Sequence, residues 1–272
     1  MNSHSTFNVT VAGDGPRTIV FAHGFGCDQG MWRFVAPHFA RDHRTVCYDL
    51  AGSGRTDPAS YDPERHASLA GHADDLLRIL DDLGEGPVVF VGHSVAAMIG
   101  LLAGLRAPER FEAQAWLGPS PCYVNDGDYV GGFTRPDIDS LLETLDSNYL
   151  GWSSTMAPAI MGAPDQPQLG EELTASFCRT DPAIARHFAR VTFLSDNRAD
   201  LREHRVPTLI LQCSDDLIAP CSVGDFLERE LPDGTLRVIE NVGHCPHLSA
   251  PAESIVAIDE FLATRLDRRV RA

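Results

Sequence analysis

What this 272-residue sequence lacks narrows it first. No apolar run approaches the roughly 20 residues that a membrane-spanning helix needs. Residues 1–15 carry neither the charged leader nor the apolar stretch of a secretory signal. Basic residues are scarce: 22 Lys and Arg stand against 38 Asp and Glu, a formal charge of −16. Such a field repels nucleic acid and anionic membrane and favours solubility. The short basic tail, 265–271, reads as a frayed, solvated terminus. Seven cysteines (Cys27, Cys47, Cys122, Cys178, Cys213, Cys221, Cys245) are odd in number and scattered, with no C-x-x-C, which fits reduced core thiols rather than a disulfide framework. Repeats and low-complexity tracts are missing as well. The expectation is a cytoplasmic globular protein. Its 43% apolar and 22% charged residues are close to globular averages, and its length suits one α/β domain with an insertion or two small domains.

What is present is organised around residues 89–100, which read as an apolar strand, a tight turn and a helix with Ser94 at the apex. In a G-x-S-x-G turn the serine sits in strained backbone, and small flanking residues avoid collision with the neighbouring strand and helix. The flanks here are Gly92 and Ala96, so alanine stands in for the second glycine while remaining small. Such a turn thrusts the Ser94 Oγ outward and aims the first N–H groups of the helix at whatever it attacks. Five residues alone are weak evidence. A serine nucleophile also needs a base, an acid to orient it and an oxyanion site.

Thr18–Ala22 predicts a short strand ending in His23-Gly24-Phe25-Gly26, where the glycines permit close backbone approach and Phe25 N–H becomes a candidate donor. His23 is expected to hydrogen-bond within that turn. Helical spacing follows at 31–39 and a strand at 44–50. The loop 49–56 lacks a third glycine and a phosphate-binding lysine, which argues against a nucleotide site. Leu69–Leu83 has apolar residues at amphipathic-helix spacing. A strand at 88–91, a helix at 95–105 and a strand at Phe111–Leu117 continue the alternation that calls for a parallel sheet with helices on both faces. From 122 to 194 strand signal fades; helical stretches at 138–145, 168–177 and 182–194 sit among aromatics that include Tyr123, Phe133, Tyr149, Trp152 and Phe193. We expect 122–194 to be a helical lid inserted into a core formed by 1–121 and 195–272. The core resumes with a strand at 206–212, a helix at 222–231, a strand at 235–239 and a helix at 252–266.

Ser94, then Asp215 or Asp216, then His244 each fall in a loop just after a predicted strand. In a parallel sheet such loops meet at one edge. His244 would take the proton of Ser94, an aspartate would fix the histidine tautomer, and the N–H groups of Phe25 and Val95 would bind the oxyanion. Loss of one such donor typically costs about 2.7–4 kcal/mol in the barrier. A metal at His244, Cys245 and His247 is not expected: H-C-x-H has no second ligand pair at suitable spacing and contains a proline. Cys245 reads as a small buried hydrophobe, and His23 and His93 as structural neighbours.

The chain resembles the RsbQ-type branch of the α/β-hydrolase superfamily, bacterial stress-signalling hydrolases to which plant karrikin and strigolactone receptors are also similar. The matching stretches are HGFGCDQGMW, YDLAGSGRTD, FVGHSVAAMIG, LGPSPCYVND, SFCRTDPAIARHFA, LILQCSDDLIAP and GHCPHLS, and they cover core and insertion alike. The resemblance implies an α/β-hydrolase fold with a four-helix lid over an apolar cavity. It makes Ser94 the nucleophile, His244 the base and Asp216 the acid, since the family's aspartate lies four residues before a proline, here Pro220. It further implies Phe25, Phe133, Trp152 and Phe193 as pocket walls and no cofactor. The function so implied is hydrolysis of an ester or lactone of a small, largely apolar molecule. The alternative is a hydrolase-derived receptor that regulates a PAS-domain phosphatase, and a weaker third reading is C–C bond hydrolysis by the same triad. Fold does not select among substrates.

Overall fold

The computed structural model describes residues 3–84 and 86–266, so most of the basic tail lies outside the described residues. Seven strands form one sheet: β1 Thr10–Ala12, β2 Thr18–Ala22, β3 Arg44–Tyr48, β4 Val88–His93, β5 Phe111–Leu117, β6 Thr208–Asp215 and β7 Gly234–Val242. Their order is β1-β3-β2-β4-β5-β6-β7, with β1 antiparallel to β3 and every other pair parallel. The chain runs outward from β2 to β3 and then returns to β4 on the other side of β2. The carboxyl ends of β2 and β4 therefore flank a topological switch point, the place where such sheets hold ligands.

Burial explains why the central strands were legible. β4 is buried at every position. Val88 and Phe90 pack on one face with helices α3 (Leu69–Leu83) and α4 (Val95–Arg106). Val89 and Val91 pack on the other with Trp32 and Phe39, and with Ile258 and Phe261 of the closing helix. A strand covered on both faces loses the apolar–polar alternation and reads as a continuous apolar run. Each fully buried large side chain contributes about 1.5–3 kcal/mol.

The remaining helices are two single turns, α1 (Ser3–Thr6) and α2 (Ala36–Phe39), four in the insertion, α5 (Arg135–Ser147), α6 (Tyr149–Met161), α7 (Pro167–Arg179) and α8 (Pro182–Phe193), and then α9 (Cys221–Glu230), α10 (Pro246–Ser249) and α11 (Pro251–Arg265). The insertion leaves and rejoins the sheet side by side: Cys122 bridges Asp196, and Asn197 N–H donates to the Pro121 carbonyl at 2.8 Å. Its helices and the loops beneath them share a separate apolar cluster that includes Leu142, Trp152, Leu173, Phe177 and Ile218.

Three elements depart from the sequence reading. β1 escaped notice because it is a three-residue edge strand exposed throughout, with no burial pattern to read. The single helix expected at 31–39 is a 3-10 turn, Gln29–Trp32, followed by α2, because Pro37 supports only the first turn of a new helix. α6 has no polar stripe: Tyr149, Trp152, Ala157, Ile160 and Met161 are buried, while Gly151 and Pro158 interrupt the pattern. Its start is set by Asn148, whose side chain accepts from Gly151 N–H at 3.0 Å. Among the described residues no helix is long and apolar enough to cross a membrane, and all seven cysteines are free, Cys178 being exposed.

Candidate active site

Sheet register places the first parts. Ala22 pairs with Gly92, and His93 pairs with Leu117, so the turns after β2, β4 and β5 emerge together. Ser94 follows β4 directly with φ +55° and ψ −122°, a conformation that a non-glycine residue keeps only when its surroundings hold it, at about 1–3 kcal/mol. The holding contacts are visible: Ser94 N–H donates to the Leu117 carbonyl at 2.8 Å, and Ala97 N–H to the Ser94 carbonyl at 2.9 Å.

Asp216 follows β6, and His244 follows β7. Asp215 pairs with Val242 across those two strands, which brings the next residues of both into one corner. Asp215 itself is exposed, and its carbonyl accepts Gly243 N–H at 2.7 Å. Asp216 is buried and faces inward, so the choice left open between the two acids falls on Asp216. Its Oδ2 lies 2.7 Å from His244 Nδ1, and His244 Nε2 lies 2.8 Å from Ser94 Oγ. Asp216 Oδ1 accepts the N–H groups of Ile218 (2.8 Å) and Ala219 (3.2 Å). Burial pushes the Asp216 carboxyl up, but His244 beside it and those two amides outweigh burial and hold it below the ordinary carboxylate value. The arrangement gives a buried carboxylate, an oriented imidazole and a hydroxyl in one line.

The turn after β2 packs against this line. A Cβ on Gly24 would stand 2.6 Å from His93 Nδ1 and 3.3 Å from the Ser94 Cβ, so only glycine lets Phe25 come up beside Ser94. Val95 N–H is the first of α4 and has no acceptor within its helix. Helix α7 braces the turn through Ser176 Oγ, which donates to the Gly26 carbonyl at 2.9 Å. His23 bonds within the turn, from Nδ1 to the Gly24 carbonyl at 2.8 Å, and Nε2 accepts Leu50 N–H at 3.0 Å. His93 Nε2 donates to the His244 carbonyl at 2.8 Å. Burial, then the neighbouring His244, lowers His93 to about 3, so it remains neutral and structural.

Above Ser94 lies a narrow, largely apolar cavity. Phe25, Trp152 and Phe193 line it. Phe133 does not: it faces an outer groove between α5 and α6, beside Leu141 and Met156. The cause is its backbone, which pairs with Val124 just before the α5 cap Thr134 and turns the ring outward. Sequence reasoning missed Tyr123, Phe177 and Thr192 as walls. Phe177 stacks on Trp152 at 5.6 Å. Tyr123 stands in the loop just after β5, a position that could have singled it out. Burial raises its phenol to about 12, against the pull of the Ser94 hydroxyl beside it, so it stays a donor. The Thr192 hydroxyl is buried without a partner among the described residues, a polar atom available to a ligand. Cys245 also lines the cavity; burial lifts its thiol well above the usual value and keeps it protonated. His247 packs between Trp32 (4.7 Å) and His93 (4.4 Å), away from any shared ligand set with His244 and Cys245.

Chemically, the site can deliver an activated hydroxyl to a carbonyl carbon inside an apolar enclosure. The chain is similar to several known proteins. The strigolactone esterase D14 of Arabidopsis thaliana is 38% identical over 98% of this chain and 100% of its own length. The karrikin insensitive 2 receptor CA of Petunia hybrida is 38% identical over 90% of this chain and 91% of its own. The structure of a hydrolase from Oleispira antarctica superposes with a TM-score of 0.94 at 37% identity, covering 96% of both chains. Residues 19–258 match the alpha/beta hydrolase family model, and with the sheet order and the switch-point serine already described, the chain belongs to the alpha/beta hydrolase family.

Proposed function

We propose that the chain is a serine hydrolase that cleaves an ester or lactone of a small, largely apolar molecule through an acyl-serine intermediate, using its own side chains. The observation that carries this reading is the continuous line from Asp216 through His244 to Ser94, ending in an aromatic cavity. His244 Nε2 takes the Ser94 proton as Oγ bonds to the carbonyl carbon, and the N–H groups of Phe25 and Val95 stabilise the oxyanion. On collapse the C–O bond to the leaving alcohol breaks and His244 returns the proton to it. Water then repeats the sequence, releasing the acid and restoring Ser94. Residues 122–194 serve as the lid that encloses the substrate. Replacing Ser94 by Ala abolishes turnover of a p-nitrophenyl ester on this reading; unchanged turnover refutes it.

A second reading, a receptor whose lid reports on the state of the site, is favoured by one contact. His244 N–H donates to the Ile160 carbonyl of α6 at 2.8 Å. A Cβ on Gly243 would stand 1.9 Å from the Met161 carbonyl oxygen, so the histidine loop and the end of α6 meet backbone to backbone. Movement of His244 during acylation would therefore reach α6 directly. The RsbQ-type resemblance names a PAS-domain phosphatase as the partner. Ligand-dependent capture of such a phosphatase, lost in Gly243→Ala, supports this reading; absence of any complex with or without ligand contradicts it.

A further inference from the structure

A second cluster of histidine and carboxylate lies outside the catalytic line, at the start of α3. Its buried stripe is Leu69, Ala73, Leu76, Ile79 and Leu80, but His72 and Asp75 are buried with them. They sit three apart and so share a face, and His66, in the turn before the helix, closes over them. All three are at most 2% exposed. One ligand atom from each can be chosen so that all lie within 4.8 Å of one another. We propose that His66, His72 and Asp75 bind a divalent transition-metal ion of the zinc class.

The partners of each residue are those of a ligand set. His66 Nδ1 lies 2.9 Å from the Asp62 carbonyl and 3.1 Å from the Asp62 N–H. If it donates its proton there, Nε2 presents a lone pair 2.9 Å from Asp75 Oδ2, itself an acceptor. In that tautomer the two acceptors would share a cation; in the other, Asp62 N–H donates to Nδ1 and Nε2–H donates to Asp75 Oδ2. A metal-bound histidine commonly gives its other N–H to a backbone carbonyl in this way, and a ligating carboxylate is likewise held from outside. Here Arg65 Nη2 reaches the second oxygen of Asp75 at 2.6 Å, as an ion pair without hydrogen-bond alignment. His72 is the most telling member: fully enclosed, it has no hydrogen-bond partner for either ring nitrogen among the described residues. Buried polar groups are normally satisfied, and a metal would use the nitrogen that nothing else does. Burial, then the neighbouring His66 and Arg65, holds His72 in the neutral form that ligates.

Two imidazoles and one carboxylate select a borderline ion such as zinc or cobalt over magnesium or calcium, which take oxygen ligands. The place in the fold makes the role one of bracing. His72 packs on Phe188 of α8 at 4.6 Å, and Phe188 packs on Phe25 at 5.7 Å. Tyr61 stacks on His66 at 4.8 Å and its hydroxyl bonds His187 Nδ1 of α8 at 2.5 Å. A metal would fix α3 and the preceding turn beneath α8, which carries Thr192 and Phe193 into the cavity wall. The expectation of no metal rested on the H-C-x-H stretch near His244; H-x5-H-x2-D was masked because its last two residues read as the polar side of an amphipathic helix.

The test uses the full-length, tag-free protein, stripped with a chelator, equilibrated with zinc chloride, desalted and assayed for metal by mass spectrometry. Wild type should retain about one zinc per chain and gain thermal stability on zinc addition. His72→Phe and Asp75→Asn should each weaken zinc affinity by at least about ten-fold, with circular dichroism confirming the fold. Should one variant fail to fold, the other and the visible bands of four-coordinate cobalt in wild type give the answer. No zinc retained by wild type at micromolar concentration overturns the proposal, and so does equal retention by wild type and a folded variant. The readout needs no catalysis, so it stands or falls separately from the hydrolase reading.

Discussion

Two of the buried histidine–aspartate pairs among the described residues have nearly equal geometry, His244–Asp216 at 2.7 Å and His66–Asp75 at 2.9 Å. What stands on the other nitrogen differs. For His244 it is the Ser94 hydroxyl at 2.8 Å, facing a cavity; for His66 it is the Asp62 backbone, its carbonyl at 2.9 Å and its N–H at 3.1 Å, facing packed protein. The second oxygens differ too: Asp216 accepts two amides of its own loop, whereas Asp75 meets Arg65. A histidine–aspartate pair is therefore not a catalytic device in itself. It becomes one where the free nitrogen meets a hydroxyl that faces a cavity, and it becomes a brace or a metal cradle where it does not.

The same substitution at both pairs should separate them most widely. Asp216→Asn permits the wrong histidine tautomer, and kcat on a p-nitrophenyl ester should fall about 10⁴-fold with little change in melting temperature. Asp75→Asn should instead act on stability, lowering it by the order of 2 kcal/mol in a urea titration, a figure reduced because Arg65 is partly solvated. Equal kinetic losses at the two would break the comparison. Next in size, Gly24→Ala drives a methyl toward His93 and the Ser94 Cβ, displacing the Phe25 turn; kcat should fall about 10²–10³-fold while KM changes little.

Acid should act through the histidines that neighbour the two pairs. His93, beside the His244–Asp216 pair, and His72, beside the other, are both held neutral by burial, with folded values below the ordinary value of about 6.5. Because the unfolded chain binds those protons first, stability is fully present above about pH 6.5 and is lost as pH falls toward the folded values. The Asp216 carboxyl is also lowered, and its contribution is lost only below the ordinary carboxylate range, near pH 4. Melting temperature should thus decline between pH 7.5 and 5, and His72→Phe should flatten that decline; a rise on acidification contradicts the assignment. The smallest contrast involves the two phenols. Tyr123→Phe removes a donor beside Ser94 and should lower kcat several-fold, whereas Tyr61→Phe removes the bond to His187 and should cost about 1 kcal/mol of stability.

How much of this could be read from residues alone follows from burial. The central strands β2, β4 and β5 declared themselves as apolar runs because both of their faces are covered, and β1 did not because neither is. Ser94 and His244 were found because glycine-punctuated loops after strands leave a local mark. The choice of Asp216 over Asp215 needed the resemblance, since only the strand register shows which of two adjacent acids turns inward. α6 hid behind its all-round apolarity, and Phe133 looked like a wall residue because composition cannot say which side of a helix cap a ring occupies. Tyr123 and the cluster of His66, His72 and Asp75 depend on contacts between segments far apart in the chain or on exceptions to a helix stripe, and neither has a periodic signature.

The central claim is that Ser94 is activated by the His244–Asp216 pair. Intact-mass measurement after incubation with a fluorophosphonate addresses it directly, in wild type, Ser94→Ala and Asp216→Asn. The account expects a single adduct on wild type, none on Ser94→Ala and much slower labelling of Asp216→Asn. Labelling of Ser94→Ala at the wild-type rate, or a wild type that stays unlabelled while it hydrolyses esters, would contradict it.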